Sequence, residues 1–226
     1  MKQFVQALSG RAEFLIVVLG SIGVSLLSNL AVLLSPEVAS DVQPFNNDSL
    51  IGTLMYEIFV LAWLGAFLRM RGWSRERLGL SADARDTAIG ILLALVIFCL
   101  GWITDLIVGD LAPGVLEAAT RFEKVTGPLD LRAVTLVSLV NPVFEELFIC
   151  AYVISALKDK RGAAFAVNVS AALRVACHLY QGVYGVLTIG PVALLFGYWY
   201  LRSGRIWPLL VAHALLDFIA LVSLDG

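Results

Sequence analysis

The sequence predicts an all-α, polytopic membrane protein, a bundle of about seven transmembrane helices. Of its 226 residues, 59% are hydrophobic and only 15% are charged, and the mean hydropathy is +0.87. Soluble globular domains carry about 25% charged residues. Most charged residues also lie between long apolar runs. A chain with this composition has lipid as its main solvent.

The apolar runs predict the helices one by one. The hydrocarbon core of a bilayer is about 30 Å thick, so a helix needs about 20 apolar residues to cross it. Four runs meet this length, and three shorter, more polar runs follow. The seven runs are Phe14–Leu34, Leu50–Leu68, Thr87–Val108, Ala133–Leu157, Ala163–Tyr180, Val183–Leu201 and Trp207–Leu224.

Two of these runs allow another interpretation. The first run could be a signal peptide, but it exceeds the usual apolar length of about 7–15 residues, so a retained helix is predicted. The sixth run contains Gly190-Pro191, which makes it the least regular span. No repeat and no Pro- or Ser-rich linker divides the chain, so residues 1–226 are predicted to form a single domain.

Basic residues alternate between the connecting segments and predict an orientation. They follow the second, fourth and sixth runs, as Arg69, Arg71, Arg75, Arg77, Arg85, Lys158, Lys160, Arg161, Arg202 and Arg205. The segment Pro36–Ser49 carries only acidic charges, and Gly109–Arg132 is mixed. Because cytoplasmic loops are enriched in Lys and Arg, the N-terminus is predicted inside and the C-terminus outside.

Charge and cysteine content exclude several classes of function. The net charge of −2 and the pI near 5.7 offer no basic surface for nucleic acid, which is therefore not an expected partner. Cys99, Cys150 and Cys177 all lie in apolar runs without CxxC spacing. Neither a disulfide framework nor a thiolate metal site is predicted.

Ionisable residues deep in membrane runs carry the functional information, since each costs about 2.5–3.5 kcal/mol to insert. Glu145 and Glu146 lie near the middle of the fourth run, and His178 near the end of the fifth. His213 and Asp217 are spaced i, i+4 in the seventh run and so share a helical face. This set can hydrolyse a peptide bond. A glutamate deprotonates water, one histidine holds the water or protonates the leaving amine, and the other donates to the oxyanion.

Two further carboxylates, Glu57 and Asp105, lie in the second and third runs without a second motif beside them. Hydrogen bonding between helices or the lining of a cavity is predicted for both residues.

The order of the central residues resembles three motifs of the CAAX protease and bacteriocin-processing family. Glu145-Glu146, then His178, then His213-Ala-Leu-Leu-Asp217 are similar to the family motifs EExxxR, FxxxH and HxxxN/D. The resemblance covers about Ser138–Phe218, with weaker support from Tyr56-Glu57 and from the segment Arg71–Leu80. It implies a multi-pass intramembrane peptidase of a bacterial or archaeal cell membrane, with a catalytic-like core at residues 133–224.

The resemblance also implies roles for individual residues. Glu145 is expected to be the general base that activates water, with Glu146 beside it and His178 assisting. His213 and Asp217 are expected to stabilise the tetrahedral intermediate. An ionised Asp217 would repel an oxyanion, whereas an asparagine there could donate to it. Asp217 is therefore expected either to be protonated or to accept from the His213 ring and fix its tautomer.

Two positions depart from the family motifs. Cys150 replaces the arginine of EExxxR, and Arg174 replaces the phenylalanine of FxxxH. If the fourth and fifth helices form a hairpin that turns at Gly162, Arg174 lies level with the position of the missing arginine and can pair with Glu146. Arg174 and Cys150 are therefore predicted to support the site. The alternative is that Arg174 faces lipid headgroups or marks an inactive family member.

Cofactor, substrate and function class stay open at this stage. No cofactor is the favoured expectation, and zinc held by Glu145, His178 and His213 is the alternative, although the HExxH pattern is absent. The expected partners are the lipid bilayer and a membrane-tethered peptide or protein substrate, which need not be prenylated. A catalytically inactive scaffold or binding protein is the second hypothesis. A proton-coupled transporter is the third, and the absence of an inverted repeat counts against it.

Overall fold

The computed structural model describes residues 2–34, 46–120 and 125–224, and helices make up most of these ranges. The α-helices are α1 (Lys2–Ala7), α2 (Gly10–Leu34), α3 (Asn47–Met70), α4 (Ala84–Leu111), α5 (Pro113–Thr120), α6 (Leu131–Glu145), α7 (Val153–Arg161), α8 (Ala163–Cys177), α9 (Gly182–Ser203) and α10 (Trp207–Leu224). A π-helix at Glu146–Tyr152 joins α6 to α7, and a 3₁₀ turn at Leu179–Gln181 follows α8. No β-strand occurs in the described ranges, so the all-α prediction is confirmed.

Six helices of the described chain are long and apolar enough to cross a membrane. They are Gly10–Val32, Asn47–Met70, Ala84–Leu111, Leu131–Arg161, Leu179–Ser203 and Trp207–Leu224. The fifth predicted run, Ala163–Tyr180, forms α8, whose 15 residues span about 22 Å, less than the hydrocarbon core. Six full-length spans and one shorter apolar helix thus replace the expected seven. The prediction of a polytopic membrane bundle is confirmed.

The segments that are rich in Lys and Arg lie at one end of the bundle. We call this end the basic face and define it by residues 2–13, 69–86, 158–162 and 202–207. Arg71 at the end of α3 binds Glu13 near the start of α2 at 2.5 Å. Arg205 before α10 pairs with Asp83 and Asp86 at the start of α4. The pKa of Asp83 is lowered, chiefly because the backbone N–H of Asp86 donates to its carboxylate. These contacts bring the starts of α2, α4 and α10 and the end of α3 to one surface.

The other ends of the same helices meet at the opposite face, defined by the start of α3, the start of α6 and the end of α10. There the Asn47 side chain donates to the carbonyl of Pro128 at 3.1 Å and accepts from the backbone N–H of Asp130 at 2.7 Å. Leu50, Val134 and Leu221 pack in one apolar cluster. Glu37 and Asp41, which the charge pattern assigns to this face, lie outside the described residues.

Two irregular features follow directly from residue type. Gly162 has φ +92°, in the region that favours glycine, and forms the turn predicted between the fourth and fifth runs. Pro191 lies inside α9 without ending the helix. Neighbouring helices and local adjustments compensate the hydrogen bond that proline removes in a membrane helix.

The linker after α3 is locked to the segment before α10 at the basic face. Gly79 has φ +68°, and its carbonyl accepts from the backbone N–H of Ile206 at 3.2 Å. A Cβ at Gly79 would stand 2.0 Å from the carbonyl oxygen of Gly204. Only glycine fits this close approach of two backbones.

We expect Gly79→Ala to destabilise the protein by about 2 kcal/mol or more, because it combines backbone strain with a clash against backbone atoms. Gly72→Ala is the matched control, since Gly72 has φ +84° but open space around it. Thermal unfolding in detergent measures both variants. Equal losses in Tm would show that the contact with Gly204 is unimportant.

Candidate active site

The fourth membrane span carries the candidate site at its centre. Glu146 lies midway along Leu131–Arg161, about 22 Å from either end. It is the first residue of the π-helix, which follows one turn after Pro142 inside α6. π-helical turns are rare and frequently occur at functional sites. Glu146 and the adjacent Glu145 therefore lie deep in the membrane.

Glu146 is enclosed by basic side chains from two other helices. Its side chain is 0% exposed. Arg174 of α8 donates from Nη2 to Glu146 Oε1 at 2.6 Å, and His213 Nδ1 of α10 lies 2.8 Å from the same oxygen. The predicted ion pair between Arg174 and Glu146 is confirmed. Arg174 is 4% exposed and so does not face lipid headgroups.

Glu145 points toward a cavity. Its Oε2 lies 3.4 Å from Arg174 Nη1, within ion-pair distance, and has no hydrogen-bond partner in the described part of the chain. Its side chain keeps 15% exposure, against 0% for Glu146. The two adjacent glutamates thus share one arginine but differ in access.

His213 lies between two carboxylates. Its Nε2 is 3.3 Å from Asp217 Oδ1, one turn along α10, while its Nδ1 is engaged by Glu146. The second oxygen of Asp217 accepts from Asn141 Nδ2 at 2.9 Å. Asp217 thus contacts the His213 ring, as one of the two expected arrangements requires. Neither ring nitrogen of His213 is left to donate to an oxyanion, so the expected donor role does not fit this geometry.

His178 caps the end of α8 and is oriented by the backbone. Its Nδ1 lies 2.8 Å from the carbonyl oxygen of Arg174. A carbonyl only accepts, so Nδ1 carries the hydrogen, and Nε2 of a neutral ring is an acceptor. The structure shows no hydrogen bond between His178 and Glu145 within the described ranges, although both line the same cavity.

A cavity of about 1090 Å³ brings the predicted residues together. Its lining includes Glu145, Arg174, His178, His213 and Asp217. Glu57 and Asp105, predicted to line a cavity or to hydrogen-bond, also lie on its wall. Tyr184 of α9 donates to Asp105 at 2.5 Å. The volume is large enough for a peptide segment, and the lining is mostly apolar with a few convergent polar groups, as is typical of binding sites.

Cys150, predicted to support the site, lies in the π-helix and is 1% exposed. Its Sγ lies 3.9 Å from the carbonyl oxygen of Phe196. It packs as a small apolar residue at the position where the family motif has arginine.

Sequence reasoning missed two asparagines that position the site. Asn141 stands one turn before Glu145 and so shares its helical face, a spacing that could have identified it. Asn29 of α2 donates to the carbonyl of Cys177 at 3.0 Å and accepts from the backbone N–H of Tyr180 at 2.7 Å, on either side of His178. The only sequence signal for Asn29 is an amide in an apolar run, because its partner lies 148 positions away.

The zinc alternative named Glu145, His178 and His213 as ligands. Among the described residues, no group of three or more His, Cys, Asp or Glu side chains is arranged to hold a metal ion. Both ring nitrogens of His213 are already engaged by carboxylates. The proposed ligand set therefore does not fit a metal in this arrangement.

Comparison with known proteins supports the resemblance. Residues 127–219 match the family model described as Type II CAAX prenyl endopeptidase Rce1-like. A search of curated proteins and a search of solved structures each found no match. The matched segment contains every predicted catalytic residue, from Glu145 to Asp217. Over these residues the chain is similar to the family of type II CAAX prenyl endopeptidases, which are intramembrane proteases.

The Arg174–Glu146 pair predicts a specific rescue. Arg174→Phe restores the FxxxH motif but leaves a buried carboxylate unpaired, so we expect a loss of about 3–5 kcal/mol in stability and loss of activity. Adding Cys150→Arg completes EExxxR and should recover both. Thermal unfolding and peptide cleavage of the two single variants and the double variant measure the coupling. Additive effects would show that positions 150 and 174 do not share a role.

Proposed function

We propose that the chain is an intramembrane endopeptidase that hydrolyses peptide bonds of a membrane-associated peptide or protein, with water activated by Glu145. The observation that carries this proposal is the different access of the two adjacent glutamates. Glu146 is buried against Arg174 and His213, whereas Glu145 lines the cavity. Only Glu145 can therefore reach both a water molecule and a substrate.

Arg174 orients the Glu145 carboxylate and leaves the carboxylate able to accept hydrogen bonds from water. The 3.4 Å contact with Nη1 holds the buried Oε2, and the exposed part of the side chain leaves the other carboxylate oxygen, Oε1, to accept from the hydrogens of water. His178 Nε2 is a further acceptor on the cavity wall and can hold the same water. After attack, the proton taken up by Glu145 passes to the leaving amine, directly or through His178.

The oxyanion requires a donor other than His213. Asn141 lines the cavity, and one hydrogen of its side-chain amide binds Asp217, which leaves the second hydrogen available. We assign the donation to this second hydrogen. In this assignment Asp217 is a positioning residue that holds the amide and one side of the His213 ring. The amide that the family motif places at position 217 is supplied here from position 141.

The proposed mechanism uses no metal. The guanidinium of Arg174 supplies the positive charge beside both carboxylates, the place that a cation would take. A permanent cation in the low-dielectric interior stabilises the charge that develops during attack.

The inactive-scaffold hypothesis was based on the two departures from the family motifs. Arg174 returns a positive charge to Glu146 from the neighbouring helix, so these departures do not by themselves indicate loss of activity. The transporter hypothesis gains no support from a particular contact.

We expect Glu145→Gln to remain folded but to lose about 10²–10⁴-fold in rate, because the amide keeps the shape of the side chain and lacks its basicity. The assay is cleavage of a library of acylated peptides in liposomes with the purified protein, read by mass spectrometry. Glu76→Gln, at the basic face, is the control and should retain full activity. Unchanged cleavage by Glu145→Gln would remove Glu145 from the mechanism.

The proposed role of the Asn141 amide can be tested by exchanging the amide and the carboxylate between positions 141 and 217. Asn141→Asp removes the donor and places two carboxylates together, so cleavage should fall by about 10²-fold or more. Adding Asp217→Asn restores one amide and one carboxylate to the pair, and should recover a large part of the rate. A double variant as inactive as Asn141→Asp, with unchanged thermal stability, would contradict the shared role.

A further inference from the structure

The cavity occupies only one half of the bundle along the membrane normal. On α3 its lining begins at Leu50 and ends at Glu57, within the half that starts at the opposite face. On α10 it runs from His213 to Leu224, the end of the helix. None of its lining residues in the described chain belongs to the segments that form the basic face. The cavity therefore opens toward the opposite face.

A packed layer closes the route from the site to the basic face. Phe148, Tyr152, Ile154 and Leu209 are between 0% and 1% exposed and lie on the basic-face side of the catalytic-like residues. The Tyr152 hydroxyl donates to Glu13 Oε1 at 3.2 Å. A separate cleft of about 960 Å³ at the basic face is lined by Glu13, Arg71 and Lys160, and by none of the predicted catalytic residues.

The two faces differ in charge. Twelve of the 16 Lys and Arg residues belong to the basic face, as Lys2, Arg11, Arg69, Arg71, Arg75, Arg77, Arg85, Lys158, Lys160, Arg161, Arg202 and Arg205. By sequence, the segments that connect helices at the opposite face contain three, Arg121, Lys124 and Arg132. Lys and Arg accumulate on the cytoplasmic side of membrane proteins. The basic face is therefore the cytoplasmic one.

From these observations we infer that the cavity opens to the extracytoplasmic side of the membrane, and that the substrate is a peptide segment presented there. A cytoplasmic peptide terminus would meet the packed layer under the site. The side to which the cavity opens is inferred from geometry and charge alone. That the cavity binds a substrate rests on the proposed endopeptidase function.

Cysteine labelling tests the side of access without using activity. In a Cys99→Ser, Cys177→Ala background, the remaining Cys150 is 1% exposed and serves as the unlabelled baseline. Thr53→Cys and Thr188→Cys place thiols on the cavity wall, and Ser81→Cys and Ala82→Cys place them at the basic face. A membrane-impermeant maleimide is applied to intact cells and to inverted vesicles. SDS-treated samples confirm that each thiol is present and reactive.

We expect the two cavity thiols to react in intact cells and to lose labelling in inverted vesicles, with the reverse for Ser81→Cys and Ala82→Cys. Cavity thiols that react only in inverted vesicles would overturn the inference, as would cavity thiols that react from neither side. Combining each variant with Glu145→Gln should leave the labelling unchanged. If the protein that retains Glu145 shows the expected labelling but cleaves no peptide, the proposed function is contradicted and the inference about the side of access still holds.

Discussion

The arrangement of the site depends on one buried ion pair. Glu146 stands at the centre of the fourth span, where an unpaired carboxylate would be costly, and Arg174 neutralises it from the next helix. The pair fixes the hairpin of α7 and α8, because each charge needs the other at a defined level. It also fixes Glu145, whose carboxylate contacts the same guanidinium. A pair that stabilises the helices therefore also aims the proposed base.

The same pair explains how the chain can depart from the family motifs at two positions. The arginine of EExxxR would lie four residues after Glu146 on the same helix, whereas Arg174 reaches Glu146 across the hairpin. Cys150 is then free to pack as a small apolar residue. The amide of HxxxN/D is likewise supplied from another helix, since Asn141 on α6 donates to the carboxylate of Asp217 on α10. In both cases the facing helix carries the polar group that the family motif has on the helix of the motif itself.

Burial divides the bundle into a tightly packed half and an open half. Toward the basic face, aromatic and branched side chains such as Tyr152 and Ile154 are fully buried. Toward the opposite face, α3, α4, α9 and α10 line a cavity of about 1090 Å³. Since helices in lipid gain little from burying apolar surface, packing and polar contacts hold them together. The contacts of Arg205, Arg71 and Gly79 hold the closed end, while the open end remains available for a ligand.

The sequence by itself determined the helical class, the approximate spans and the central residues, because long apolar runs and charges within them have few physical solutions in lipid. It also predicted the Arg174–Glu146 contact, since a hairpin about Gly162 sets the level of each residue, but the tertiary structure decided between this contact and an Arg174 that faces lipid headgroups. Only the tertiary structure decided the partners of His213, the roles of Asn141 and Asn29, and the half of the bundle in which the cavity lies. Those contacts join helices far apart in the chain, and no sequence period records which helix faces which.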